Sequence, residues 1–559
     1  MLSSKSVRHP WLAITGLLLV CLALIPSAVL EQAFGRSPHS LSWGPALFRV
    51  VLALHGAMLV TSSFFPPRAR SSEPAPPSIS LRARVILGGL TLLALVLRIP
   101  SLNSCLWLDE VLTMARFARW PLARIFTSFP DQNQHMLFSL LAHCSLLLFG
   151  EHAWAVRLPS VLFGAASIWA LFLMGRKVVG ETEALLACAL MTVSYHHIWF
   201  SQNARGYMGL MFFTCLATWL WMEAIERDDW QTWLGYAVAV ALGMWIHMTM
   251  LFVVGTHALI FLLAWLKSDR SPARLGRALG AFALCGTLSL QVYAFSLPEF
   301  LRTAAPEFSP QSEWINPLWV VKESLRSLQV GFAGAAVVAC GGLLTAAGWL
   351  DMLRRKPSAG WAMVLPAVVG GGSMLILGHN LWPRFFFFCM GFGLLIVIHG
   401  AMQLPRLLTS AVGLSQWGPR VGYAFAALMI AASITTVPRA WALPKQDFTG
   451  ARDYVERQLG QGDKVVVAGL AIYAYSEYYA PAWTVVNTNA ELAAAKTDRG
   501  RVFLIYTLPI DLRAAHPDIW KAVESDFETI KVFPGSLGGG EVYVSRERDP
   551  LSPNAVAVR

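Results

Sequence analysis

The chain has 559 residues, 55% of them hydrophobic and 14% charged, with a mean hydropathy of +0.52. That balance is too apolar for an ordinary soluble protein and reads as a polytopic membrane protein. The formal charge of +11 does not call for a nucleic acid, because the basic residues fall mainly in short connections between apolar runs, where the positive-inside rule explains them.

Taking about 20 apolar residues per crossing, residues 11–31 and 45–65 form two leading spans. The basic stretch from Lys5 to His9 imitates a signal peptide, but further spans follow, so the first is read as retained. Pro66 to Arg84, rich in Pro, Ser and Arg, is a flexible inner linker. These segments form a leading unit over residues 1–82.

The span at 83–99 runs outward and delivers Trp107-Leu108-Asp109-Glu110 to an outer loop over 100–156. Charge beside the bilayer is costly and marks a functional candidate. Arg116, Arg119 and Arg124 then alternate with Leu112, Met114, Phe117, Trp120 and Ile125, the pattern of a helix lying on the membrane surface. Asp131-Gln132-Asn133-Gln134-His135 opens a second apolar piece, Met136 to Phe149, and Arg157-Leu158-Pro159-Ser160 opens a full span.

Further spans follow near 157–175, 184–200, 207–225, 233–247, 249–266, 277–296, 328–350, 360–378, 384–403 and 421–438, giving about thirteen transmembrane helices. Every connection placed inside carries a basic residue, from Arg68 and Arg70 through Arg176, Lys177, Arg227, Lys267 and Arg354 to Arg406 and Arg420. The same orientation puts Asp109, His135, Arg205, His247, the loop 296–330 and His379 to Arg384 on the outer side. Polar residues of mixed type thus converge on one face, as a site requires.

After Pro438 the composition changes, and residues 441–559 read as a small C-terminal α/β domain outside the cytoplasm. Val465–Ala468, Val502–Tyr506, Thr529–Val532 and Glu541–Ser545 are predicted strands, with helices near 449–460 and 517–527. No helix follows Gly538-Gly539-Gly540, so it is read as a hairpin turn rather than a phosphate cradle. All eight cysteines precede residue 390 without metal-ligand spacing; Cys105 and Cys144 share the outer loop and could meet. His196-His197 does not favour a metal either, since adjacent helical residues point apart.

Five motifs in order carry a family resemblance. They are Asp109-Glu110, Asn133-Gln134-His135, Arg157-Leu158-Pro159-Ser160, Gly175-Arg176-Lys177-Val178-Val179-Gly180 and Ser201-Gln202-Asn203-Ala204-Arg205. Together they resemble the GT-C superfamily of membrane glycosyltransferases, in the branch of protein O-mannosyltransferases and the lipid A aminoarabinose transferase. The chain departs from that branch at Met136-Leu137, where the family usually has prolines. The resemblance implies a transmembrane catalytic domain over 83–440 and a bacterial inner-membrane enzyme with its active site and C-terminus facing the periplasm. Such an enzyme transfers a sugar, with inversion, from a polyprenyl-phosphate donor to a lipid, glycan or protein acceptor. No cofactor is implied, and a divalent metal is left open.

Glycosyl transfer needs a base for the acceptor proton and positive charge for the leaving phosphate. Asp109 is the candidate base, with Glu110 orienting the acceptor or completing the pair; the bland alternative is a helix cap. Arg205 and Arg384 are candidates for the donor phosphate, against interfacial snorkelling. His135 and Lys322 are further phosphate candidates. Gln134, Gln202, Tyr207 and His247 are candidate substrate contacts, and His247 has a plain structural alternative. A transporter of lipid-linked sugars and a silent scaffold subunit are the rival readings. The first lacks an inverted repeat and charge deep within spans.

Overall fold

The computed structural model describes residues 9–64, 78–268, 270–303, 316–319, 322–323, 335–496 and 500–548. The apolar runs are helices, as a chain in lipid requires, since only a helix satisfies its backbone groups within one segment. Among the described residues, eight helices are long and apolar enough to cross a membrane, or ten if each of two bent pairs is one span. The expectation of about thirteen also takes in helices that fall short of that length or hydropathy. Leu81–Val96 and Trp230–Ile246 have 16 and 17 residues, about 24–26 Å of helix against roughly 30 Å of hydrocarbon.

The first expected span turns by 93° between Pro10–Ala23 and Ser27–Ala33, where Pro26 supplies no N–H. The segment near 184–200 turns by 63° between Glu181–Thr192 and Tyr195–Ser201. That second bend carries Ser201 to Arg205 into the site. The surface piece after Asp109 is likewise broken: a helix at Leu108–Thr113, a π turn at Met114–Ala118, and after Pro121 a second helix, Leu122–Thr127.

Ala153–Val178 and Tyr207–Arg227 pack on each other at the centre, with two thirds of an 18-residue apolar stretch of each buried. The leading helices Pro10–Ala23 and Gly44–Ser62 cross closely, since a Cβ on Gly16 or on Gly56 would lie 2.6 Å from the other's carbonyl oxygen. This pair docks on the bundle through Phe295, whose ring lies 4.9 Å from Phe34 and 4.6 Å from Phe48. At the end opposite Asp109, His399 bridges Glu183 Oε2 at 2.6 Å and Asp351 Oδ2 at 2.9 Å, tying three helices together.

The C-terminal domain is a five-stranded sheet in the order β2-β1-β3-β5-β4, with β1 Lys464–Ala468, β2 Thr484–Val486, β3 Val502–Thr507, β4 Phe527–Phe533 and β5 Val542–Glu547. β1 is parallel to β2 and β3, whereas β5 runs antiparallel to β3 and β4. Gly538 to Gly540 lie in the β4–β5 connection. One face of the sheet closes on the bundle: Trp107 and Leu108 are buried in the same apolar cluster as Phe448, Val455, Tyr475, Phe503 and Val544. The Asp109 helix is therefore part of this domain's core. Cys105 and Cys144 are both unpaired, and the Cys105 thiol donates to the Gln446 carbonyl at 3.0 Å.

Candidate active site

Asp109 and Glu110 occupy the first turn of the Leu108–Thr113 helix, where the N-terminal dipole favours anions. Adjacent helical side chains point about 100° apart, and the two carboxylates have separate fates. Glu110 is fully buried and grips Arg157 through Nε–Oε1 at 2.8 Å and Nη2–Oε2 at 2.6 Å. It also accepts the Ala204 N–H at 2.7 Å. Arg157 spends its remaining donors on the carbonyls of Leu102, Ser104 and Cys105. Burial pushes the Glu110 carboxyl up, but Arg157 and Lys445 outweigh it and hold it below the usual range. With the Trp107 N–H on Oε2 at 3.3 Å, all four lone-pair sites of Glu110 are taken, which leaves none for orienting an acceptor; the carboxylate joins the outer loop to two neighbouring segments.

Asp109 has no such anchor. Its Oδ2 is buried without a hydrogen-bond partner, and the nearest cation, Arg384 Nη1, lies 3.6 Å away, beyond hydrogen-bond distance. The Arg384 guanidinium lies 4.8 Å from the Trp382 ring and 6.0 Å from the Trp107 ring, with its Nε unpartnered.

Arg205 closes the third side. Its Nη1 donates to the Asn133 carbonyl at 2.7 Å and to Thr113 Oγ1 at 3.3 Å, and Thr113 in turn donates to the Asp109 carbonyl at 2.8 Å. His135 Nδ1 accepts the Gly206 N–H at 2.7 Å, so a neutral ring carries its proton on Nε2. Arg205 Nη2, 3.2 Å from that nitrogen, thus faces another donor, and its Nε is also unpartnered. Two donors of the arginine fork are left for an anion. Gly206 is required here, because a Cβ would sit 2.5 Å from His135 Nδ1 and 2.6 Å from the Ile246 carbonyl.

His247 stacks edgewise on His135 at 4.6 Å and lies 5.4 Å from Tyr207. Burial, then Arg205 and Arg384, push His247 down to about 3, and burial with Arg205 pushes His135 well below its ordinary value. Both shifts favour the neutral rings. Gln134, buried beside them, has both side-chain amide atoms unpartnered.

The structure therefore brings Asp109, Arg205, Arg384, His135, Gln134, Tyr207 and His247 to one end of the bundle. Gln202 is turned elsewhere: its Nε2 donates to the carbonyls of Arg98 and Pro100, so its amide holds the bend in place of touching a ligand. Lys322 is exposed. Its neighbour Glu323 reaches the glycine turn, with Oε1 3.3 Å from where a Gly538 Cβ would be.

Three residues not singled out in the sequence complete the surroundings. Asp131, half-buried, accepts the Asn133 N–H at 2.7 Å. Burial raises its carboxyl above the ordinary value, with Asp109 adding to the effect and Arg205 and Arg116 opposing it. Lys445 donates to the Gln202 carbonyl at 2.5 Å and stands 4.9 Å over the Trp199 ring; Gln446 Oε1 accepts the Leu108 N–H at 3.0 Å. Asp131 was visible as part of a polar cluster. The other two act across more than 240 residues, which no local pattern discloses.

Residues 133–289 match the dolichyl-phosphate-mannose-protein mannosyltransferase family. The oligosaccharyltransferase AglB of Archaeoglobus fulgidus, solved with an inhibitory peptide and a dolichol-phosphate, superposes with a TM-score of 0.50 at 12% identity, over 83% of this chain and 74% of that one. The chain has the GT-C fold. A second GT-C structure, ArnT of Cupriavidus metallidurans bound to undecaprenyl phosphate, gives a TM-score of 0.46 at 12% identity, over 86% of this chain and all of that one. YkcB of Bacillus subtilis, named as a candidate mannosyltransferase, is 29% identical over 119 residues, which is 21% of this chain and 17% of YkcB. The chain thus matches about a sixth of that relative's length. Within this GT-C fold the family match begins at Asn133 and takes in His135, Arg157, Arg205 and His247.

Proposed function

We infer that the chain is a membrane glycosyltransferase that moves a sugar from a polyprenyl-phosphate carrier to a nucleophilic acceptor at the face bearing Asp109. The family match and the names of the GT-C neighbours support the class. The observation that carries the site is the convergence of buried, unpartnered polar atoms: Asp109 Oδ2, Arg205 Nε, Arg384 Nε and the Gln134 amide. Each costs about 1–3 kcal/mol if left unsatisfied, so their presence together at one end of the bundle argues for a polar ligand.

In the proposed reaction the acceptor oxygen or nitrogen attacks the anomeric carbon from the side opposite the phosphate. A bond forms from acceptor to anomeric carbon as the bond from that carbon to the phosphate oxygen breaks, which inverts the centre. The acceptor proton passes to Asp109 Oδ2, and the electron pair leaves on the phosphate. Arg205 and Arg384 neutralise the charge that develops there, in a site where water is scarce and such contacts are strong. A polyprenyl tail cannot leave lipid, so its phosphate meets these arginines at the interface. By the positive-inside argument this face is periplasmic. His135, Tyr207 and His247 form the wall behind Arg205, and Gln134 is placed to read a sugar hydroxyl.

Asp109→Asn keeps the volume and removes the base. With a radiolabelled polyprenyl-phosphate sugar, the variant should lose turnover by about 100-fold or more while still binding donor. Near-normal turnover would reduce Asp109 to a helix cap and end the proposed mechanism.

A further inference from the structure

Beside the leading helix pair lies a polar pocket with no part in the reaction above. Its volume is about 120 Å³, and its polar lining comprises Arg36, Ser40, Ser42, Thr127, Ser128, Glu299 and Arg302. It is on the Asp109 face, because Ser128 precedes Asp131 by three residues and the Phe129 N–H donates to Glu299 Oε2 at 2.7 Å.

The pocket is built rather than incidental. Glu31, buried, accepts the N–H groups of His39 and Leu41 at 2.7 and 2.9 Å, which fixes the loop that presents Ser40 and Ser42. His39 and Ser42 hold left-handed backbone at φ 66° and 54°, a strained state for such residues that the carboxylate sustains. Arg36 reaches across to Thr127 Oγ1 with Nε at 3.0 Å and Nη2 at 2.8 Å, and to Ser128 Oγ. Thr127 and Ser128 are themselves buried.

The electrostatics are unbalanced. Arg36 is bonded to neutral hydroxyls, and among the described residues its Nη1 donates to no protein group. Neither Arg36 nor Arg302 has a carboxylate within ion-pair distance among the described residues, although Glu299 shares the lining. A guanidinium held by hydroxyls, sharing the pocket with a second arginine, matches the oxygens of a phosphate.

We propose that this pocket, which the loop between the leading helices helps to line, binds a phosphate group. A phosphate can come from a phospholipid headgroup in the surrounding leaflet or from a soluble phosphate ester. The site is separate from the Arg205 site and independent of the transfer reaction.

The test uses the full-length protein in a non-ionic detergent, with three probes followed by native mass spectrometry and thermal shift. The probes are dioctanoyl phosphatidylglycerol, dioctanoylglycerol with the same tails but no phosphate, and inorganic phosphate. The phosphatidylglycerol should bind saturably and dioctanoylglycerol should not. Arg302→Gln, on an exposed side chain, and Arg36→Gln should each weaken binding about tenfold or more, and Arg205→Ala should leave this binding in place. Equal binding of inorganic phosphate would support the site and assign it to free phosphate; binding of the phospholipid alone would assign it to the leaflet. Equal binding of dioctanoylglycerol, or a loss with Arg205→Ala but none with Arg302→Gln, would overturn the proposal.

Discussion

The phenol of Tyr479 holds both backbone groups of Leu106, accepting its N–H at 2.6 Å and donating to its carbonyl at 2.9 Å. Leu106 lies three residues before Asp109, so one side chain of the C-terminal domain fixes the entry to the helix that carries the candidate base. Gln446 and Cys105 tie the same stretch from a second direction. The domain positions Asp109 by direct contact.

Tyr479→Phe removes both bonds at almost constant volume. Each abandoned buried group costs about 1–3 kcal/mol, and the cost falls on the geometry of the Leu108–Thr113 helix. We expect kcat to fall severalfold with KM for donor little changed, measured by steady-state transfer. An unchanged kcat in a protein of lowered melting temperature would make Tyr479 a purely structural tie.

The Glu110–Arg157 pair should be a folding element. Arg157→Ala strands a buried carboxylate at a cost of about 3–5 kcal/mol, so thermal unfolding in detergent should show a clear loss of stability. The double replacement Glu110→Met with Arg157→Leu removes the stranded charge but leaves the carbonyls of Leu102, Ser104 and Cys105 and the Ala204 N–H unsatisfied, so it should recover only part of the loss. Asp109→Asn should leave the unfolding temperature near that of the parent. Equal stability of Arg157→Ala and the parent would contradict this division of roles.

Lys445 gives a pH signature. Burial, with Arg157 adding and Glu110 opposing, pushes its ammonium down to about 7 from an ordinary value of 10.5. Between those limits the unfolded chain holds the proton and the folded chain does not, so stability rises with pH across the window. Below about 7 the folded state bears the full cost of a buried charge. Unfolding midpoints between pH 6.5 and 9 should climb in the parent, and that component should vanish in Lys445→Met. Parallel curves for the two proteins would place the titration elsewhere.

The sequence exposed the residues that stand out against an apolar background. Asp109, Arg205, Arg384, His135 and His247 are polar groups at the ends of apolar runs, and a topology drawn from loop charges already gathers them on one face. It named Asp109 as the base but could not show that Glu110 is held in an ion pair, because neighbouring positions on a helix differ only in which way they point and its partner, Arg157, is 47 residues away. Two bends were beyond its reach, because the Leu24 to Pro26 turn and the Val193-Ser194 turn leave hydropathy unbroken. The edge strand β2 is three residues long, too short for a period-2 pattern to register. Lys445 and Gln446 sit in a segment without apolar periodicity, and only the docked domain gives them their partners.

Arg205 is the residue whose loss should separate binding from folding. Its Nη1 is anchored on the Asn133 carbonyl and Thr113, so the guanidinium is oriented before any ligand arrives. Its Nε and Nη2 have no protein acceptor, the first being unpartnered and the second facing the protonated nitrogen of a neutral His135. Nothing in this arrangement is snorkelling, since Arg205 is only 4% exposed and reaches no solvent layer. A charge-assisted contact to phosphate contributes on the order of 1.5–3 kcal/mol, so Arg205→Ala should weaken binding of a polyprenyl phosphate about tenfold or more. Arg205→Lys should recover part of that, because a point charge cannot reproduce two donors of a planar fork. Binding is read by native mass spectrometry, with thermal unfolding as the control for folding. Undiminished affinity in a well-folded Arg205→Ala protein would shift the phosphate to Arg384, whose Nε is unpartnered and whose Nη1 lies 3.6 Å from Asp109 Oδ2.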